Sequence, residues 1–161
     1  MTTAEFNKCV EDHSDNVYRF ILKNLRDEEK ARDVVQDTFE KLWVRAENVS
    51  YEKARSYLFS TAYHTMIDAI RKEKRMKPLD DVDFNQLSYT HAYRGLNEVL
   101  EQALKKLPDI QRSVLLLRDY EGYAYHEIGE ITGLNESQVK VYIYRARVSM
   151  KKYIGNLEAV L

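Results

Sequence analysis

Residues Tyr125–Tyr153 read YHEIGEITGLNESQVKVYIYRARVSMKKY, and this stretch decides the fold. Gly133 closes a short helical pattern over Tyr125–Thr132, where a residue free to take the left-handed conformation satisfies the last carbonyls. Asn135 fits as the cap of a second helix. Gln138, three residues on, completes a capping box, and Leu134 and Val139 occupy the N′ and N4 positions of a hydrophobic staple. The stretch therefore predicts a helix, the turn Gly133-Leu134-Asn135, and a second helix from Ser137 to Tyr153, which is the outline of a helix-turn-helix.

The second helix is polarised. Val139, Ile143, Ala146 and Met150 recur at four, three and four residues and form one apolar stripe for docking on neighbouring helices. Val141, Tyr144, Arg145, Val148 and Lys152 fall on the opposite side, with Lys140 and Lys151 on one flank. No acidic residue occurs between Ser137 and Tyr153. Such a helix suits the major groove of duplex DNA, where Lys and Arg meet phosphates and the first turns meet base edges. The alternative is a solvated surface helix whose cations complement its own dipole.

The rest of the chain bounds the possibilities. Its 161 residues, 44% of them hydrophobic with five Gly and two Pro, predict an all-α chain of packed helices with few loops. A single cysteine, Cys9, rules out an intramolecular disulfide and a cysteine zinc site, and its place between Phe6 and Val10 fits core packing. No apolar run approaches the roughly 20 residues of a bilayer span, and residues 1–5 carry no signal-peptide pattern, so a cytoplasmic protein is expected. The net charge of -1 is unevenly spread. Residues 1–75 hold 14 cations and 14 acids, whereas Met76–Tyr93, MKPLDDVDFNQLSYTHAY, holds one Lys against three Asp and has no helical period. That stretch reads as a linker over 76–93 between two helical domains, 1–75 and 94–161.

Three or four helices are expected in the first domain. One covers about Glu5–Glu11 and continues as Val17–Leu25 after a polar interruption at Asp12–Asn16. Asp27 caps the next, with Glu28 and Glu29 in its first turn. In that helix Ala31, Val34, Val35, Thr38, Phe39, Leu42 and Ala46 form the buried side, and Asp33, Gln36, Asp37, Glu40 and Lys41 the other. A loop near Asn48–Glu52 leads to a third helix with Tyr57, Leu58, Thr61, Ala62, Ile67 and Ile70 as its core face. It ends Arg71-Lys72-Glu73-Lys74-Arg75, a cluster that offsets the helix dipole and also suits phosphate.

Enzymatic chemistry finds little support. His126-Glu127-Ile128-Gly129-Glu130 approaches a zinc protease motif but has Glu130 where the second His belongs. His13, His64 and His91 are scattered, no nucleophile constellation stands out, and there is no Gly-rich phosphate loop. No metal, cofactor or small-molecule substrate is expected. A helix-turn-helix activator binding a two-fold operator as a dimer is a second reading. A helical protein-binding scaffold, which would lack salt-sensitive DNA affinity, is a third.

Taken in order, ARDVVQDTFEKLW, then SYLFSTAYHTMIDAIRKEKR, then LKKLPDIQRSVLLLRDYEGYAYHEIGEITGLNESQVKVYIYRARVSMKKY resemble the small two-domain, extracytoplasmic-function sigma factors. The resemblance runs from about Phe6 to Tyr153. It implies a transcription initiation subunit that binds core RNA polymerase, at the clamp of the largest subunit and the flap of the second largest, and directs it to promoter DNA. It also implies restraint by an anti-sigma factor, in this family often membrane-anchored.

Carried over residue by residue, the resemblance gives the clamp contact to Asp33, Gln36, Asp37 and Glu40. The minus-10 element, including capture of an unstacked base, falls to Val49, Ser50 and Tyr51 in the loop before the third helix, with His64 adjacent and Arg71 and Arg75 on phosphates. The minus-35 element falls to Lys140, Val141 and Arg145 at base edges, with Gln138, Tyr144 and Arg147 on the backbone. Where many relatives have a small polar residue and then a basic one, this chain has Val141 and Tyr142, and Tyr51 and Tyr57 stand where Phe and Trp are frequent. The family's usual upstream box is therefore not carried over.

Overall fold

Apolar residues at helical spacing build the α-helices of the computed structural model, which describes residues 1–76 and 95–160 and contains no strand among them. Helix α1 spans Thr3–Leu25 and starts on a reciprocal cap in which Thr2 accepts from the Glu5 amide at 3.1 Å and Glu5 accepts from the Thr2 amide at 2.8 Å. It runs straight through Asp12–Asn16. The interruption expected there does not occur, because Cys9 and Val17, about two turns apart, lie buried on the same face while the polar residues between them lie on the outer and flanking sides. Arg26 at φ 56 ends the helix in the left-handed conformation.

Asp27 caps α2, Glu28–Val44, by accepting from the Lys30 amide at 3.0 Å. Ala31, Val34, Thr38 and Leu42 face the core, and the buried Thr38 hydroxyl donates to the Val34 carbonyl at 2.7 Å, so no polar group is stranded. Two 3-10 turns, Ala46–Asn48 and Tyr51–Lys53, occupy the expected loop. Helix α3 covers Ala54–Met76 and packs with α1 and α2 as a three-helix body. Met76 closes this helix, and the remainder of the expected 76–93 linker lies outside the described residues.

The second half contains α4, Leu96–Lys105, and α5, Asp109–Leu115, which unwinds into a π turn over Leu116–Tyr120. Then come α6, Tyr125–Thr132, and α7, Glu136–Val160. Helix α7 docks on α4, α5 and α6 through Val139, Ile143 and Ala146, all fully buried, while Met150, the fourth member of the expected stripe, is only partly buried.

The two halves meet along α3. Leu58 and Ala62 are buried as expected, but Tyr57, Thr61, Ile67 and Ile70 are only partly so, while Phe59, Tyr63 and Met66 lie in the core. The reason is that α3 is covered on two sides, by α1 and α2 on one and by α6 on another. Phe59 stands edge-on to Phe20 of α1 at 5.6 Å and to Tyr123, just before α6, at 5.4 Å between ring centroids.

Candidate nucleic-acid interface

The turn before α7 is fixed by its own residues. Gly133, at φ 84, donates to the Gly129 carbonyl at 2.8 Å and ends α6. The Asn135 side-chain oxygen accepts from the Gln138 backbone amide at 2.8 Å, and the Gln138 side-chain oxygen accepts from the Asn135 backbone amide at 3.0 Å, the reciprocal cap expected from sequence. Gly129 has a separate role: a Cβ there would come within 2.7 Å of the Leu134 carbonyl oxygen, so the turn folds back onto a bare backbone. Glu127 accepts from the Ala124 amide at 2.9 Å at the start of α6. In the string that approached a metal motif, one residue is thus a helix cap and another permits a close approach. Among the described residues no three His, Cys, Asp or Glu side chains gather as metal ligands.

Away from its buried stripe, α7 presents Gln138, Lys140, Val141, Tyr144, Arg145 and Arg147 to solvent. Their side chains are not equally available. Lys140 pairs with Glu136 at 3.6 Å and sits over the Tyr125 ring at 5.6 Å. Arg147 is held by both carboxylate oxygens of Asp119, in the π turn. Arg145 has no ion-pair partner among the described residues.

On α2, Asp33, Gln36, Asp37 and Glu40 are all exposed, and Gln36 donates to Glu40 at 3.4 Å. Asp33 and Asp37 line a groove of about 460 Å³ between α2 and the second half of α3, with Lys30, Lys41, Asp68 and Lys72 around it. Lys41 donates to the Thr65 hydroxyl at 2.8 Å and Lys30 pairs with Glu73, so the groove walls are tied together.

The remaining six candidates form a track rather than a pocket. Val49 is 9% exposed and belongs to the core, Ser50 is exposed, and Tyr51 is half-buried against the core. His64, exposed and edge-on to Tyr63 at 5.2 Å, shares one face of α3 with Asp68, Arg71 and Arg75. Arg71 and Arg75 lie near the far end of α3, about 30 Å along the axis from Ser50. The loop and the basic end are thus separate ends of one helix, with His64 between them.

Sequence reasoning missed the contacts between the halves. Glu121, its side chain 1% exposed, accepts from Arg19 of α1 at 2.9 Å, while Arg55 of α3 donates to the Glu121 backbone carbonyl at 2.9 Å and lies over the Tyr123 ring at 4.4 Å. Ser113 donates to the Asn24 side-chain oxygen at 2.9 Å, and Arg112, 8% exposed, donates to the Asn24 backbone carbonyl at 3.4 Å while binding the carbonyls of Leu104 and Leu107 in its own half at 2.8 and 2.7 Å. None of these residues has a local pattern that announces its partner.

Comparison with known proteins finds similarity along both halves of the chain. A family model described as Sigma-70 region 2 matches residues 9–76, and one described as Sigma-70, region 4 matches residues 97–150. The chain is 31% identical over 151 residues to the RNA polymerase sigma factor SigV of Bacillus subtilis, covering 93% of this chain and 91% of that protein. It is 29% identical over 145 residues to the ECF RNA polymerase sigma factor SigM of the same organism, covering 86% and 88%. In fold it is similar to the sigma factor RpoE of Bartonella quintana, solved in complex with the anti-sigma factor NepR, at a TM-score of 0.76 and 21% identity over 93% of this chain and 96% of that one.

Proposed function

The chain belongs to the extracytoplasmic-function sigma factors, alternative sigma factors that direct transcription initiation by RNA polymerase, and from that premise we propose how its residues divide the work. The exposed face of α2, with Asp33, Gln36, Asp37 and Glu40, docks on the clamp of core polymerase. Ser50 and Tyr51 meet the minus-10 element, and the buried Val49 holds their loop on the core. His64, Arg71 and Arg75 carry the strand along α3. An unstacked base costs a few kcal/mol to expose, which contacts in this loop offset.

Helix α7 enters the major groove at the minus-35 element with Val141, Tyr144 and Arg145 toward base edges and Gln138 and Lys140 toward the backbone, because Tyr144 shares the exposed apolar stripe of Val141 and Lys140 is drawn aside by Glu136 and Tyr125. Arg147, already engaged by Asp119, positions the helix. The observation that carries this division is that each surface is exposed while its own helix is anchored by a separate buried stripe, so a partner can take the surface without unfolding the element.

The partners are core RNA polymerase, promoter DNA and an anti-sigma factor, and the chain acts in the cytoplasm, where transcription takes place. Sigma factors are not an enzyme family, and this chain supplies binding rather than catalysis. Among the described residues no helix is long and apolar enough to cross a membrane. The reading of the chain as a dimeric activator is not favoured.

The test is co-purification with core polymerase after Asp33, Gln36 and Asp37 are changed together to Ala. All three side chains are exposed, so the fold should survive and polymerase binding should fall. Undiminished co-purification of the folded variant removes the docking assignment.

A further inference from the structure

We propose that Val141 and Tyr144 select the upstream promoter box through the methyl groups of thymine. The inference rests on the reading that α7 enters the major groove, and it adds which base-edge chemistry this chain's helix is built to recognise.

Val141, Tyr144 and Val148 are 44%, 69% and 48% exposed and recur at three and four residues, so they make a second apolar stripe on α7. In the first stripe Val139, Ile143 and Ala146 are fully buried against the rest of the second half and Met150 partly so. A second stripe left in water costs free energy unless something covers it. The cover is identified by charge. From Ser137 to Tyr153 the helix has no acid, and Arg145, Lys151 and Lys152 surround the stripe, so the complementary surface is a polyanion.

Within a major groove the apolar side chains meet a restricted set of partners. Base edges there present hydrogen-bond donors and acceptors, and one apolar group, the C5-methyl of thymine. Val141 can neither donate nor accept. Among the nearby cations that could compete for base edges, Lys140 is drawn toward Glu136 and Tyr125, and Arg147 toward Asp119. Arg145 is left as the polar reader, adjacent to Tyr144. Three residues of helix rise about 4.5 Å, against a base-pair rise of about 3.4 Å, so Val141 and Tyr144 reach methyls one or two base pairs apart.

The experiment uses holoenzyme assembled from this chain and core polymerase. The upstream box is first defined by selecting active promoters from duplexes randomised in that region. Each thymine of the box is then replaced singly by deoxyuridine, which removes the methyl and leaves every hydrogen-bonding group in place. The expected result is a loss of promoter affinity of about three- to five-fold at one or two positions, the worth of one buried methyl. The same replacements should have no effect on holoenzyme carrying Val141→Ser and Tyr144→Ser, whose exposed positions leave the core intact.

A selected box without thymine, indifference of the unaltered holoenzyme to every replacement, or an undiminished loss in the double variant each overturns the proposal. Initiation at discrete sites alongside any of these leaves the sigma-factor assignment standing and removes only the methyl reading. Failure to initiate at any promoter removes both. A stripe that served a protein partner would give full deoxyuridine indifference.

Discussion

Arg19 of α1 grips the carboxylate of Glu121 at 2.9 Å, joining the two halves of the chain across 102 positions of sequence. The carboxylate is 1% exposed while the Arg19 and Arg55 side chains are 43% and 35% exposed. This asymmetry predicts unequal effects. With both arginines removed, the buried Glu121 side chain loses both of its ion-pair partners, a change that typically costs about 3–5 kcal/mol; the halves can escape it by parting. Glu121→Gln instead releases two arginines that already reach water. Small-angle scattering should report a larger radius of gyration for Arg19→Ala with Arg55→Ala than for Glu121→Gln or the unaltered chain, and equal radii in all three proteins would remove the contact as a determinant of closure.

Gly129→Ala should destabilise the second half. Alanine is favoured over glycine within helices by about 1 kcal/mol, but here its methyl would stand 2.7 Å from the Leu134 carbonyl oxygen, which is backbone and cannot swing aside. The steric term, about 1–3 kcal/mol for overpacking, prevails. Urea denaturation measures the difference, and a variant more stable than the parent would show that the turn yields.

Arg145→Ala should weaken promoter binding by about 1–3 kcal/mol when the preferred base is present, if its guanidinium makes a good base contact. The comparison requires promoters differing at single positions of the upstream box. An equal loss on all of them would place Arg145 on phosphate.

His13 links stability to pH. Burial, reinforced by the nearby Arg55 charge, holds its imidazole below the ordinary value of 6.5. The unfolded chain therefore takes up the proton first as pH falls. The contribution of His13 is fully present above about pH 6.5 and is lost as pH drops toward the folded value. His13→Gln should flatten this part of the stability profile; an unchanged slope would assign it to other groups.

What could be read from sequence follows the range of the forces involved. The turn from Gly133 to Gln138 was legible because its donors and acceptors lie within three residues of one another. The Asp27 cap was legible for the same reason. Asp12–Asn16 were misread as a break, since a polar run resembles a loop until Cys9 and Val17 are known to share a buried face. The second buried face of α3 could not be inferred from period, because Phe59 and Tyr63 are covered by elements distant along the chain. Arg19, Arg55 and Glu121 have no signature at all outside the fold. Among the candidate site residues, Asp33 and Asp37 share one groove, whereas Ser50 and Arg75 prove to be at opposite ends of a track.

Transcription in vitro with purified core polymerase, this chain and genomic fragments tests the central claim most directly. The account predicts initiation at discrete sites that depends on the added chain, with free chain binding the same duplexes weakly because its two small reading surfaces lie on halves packed against each other. No chain-dependent initiation, together with tight binding of the free protein to a two-fold operator, would contradict it.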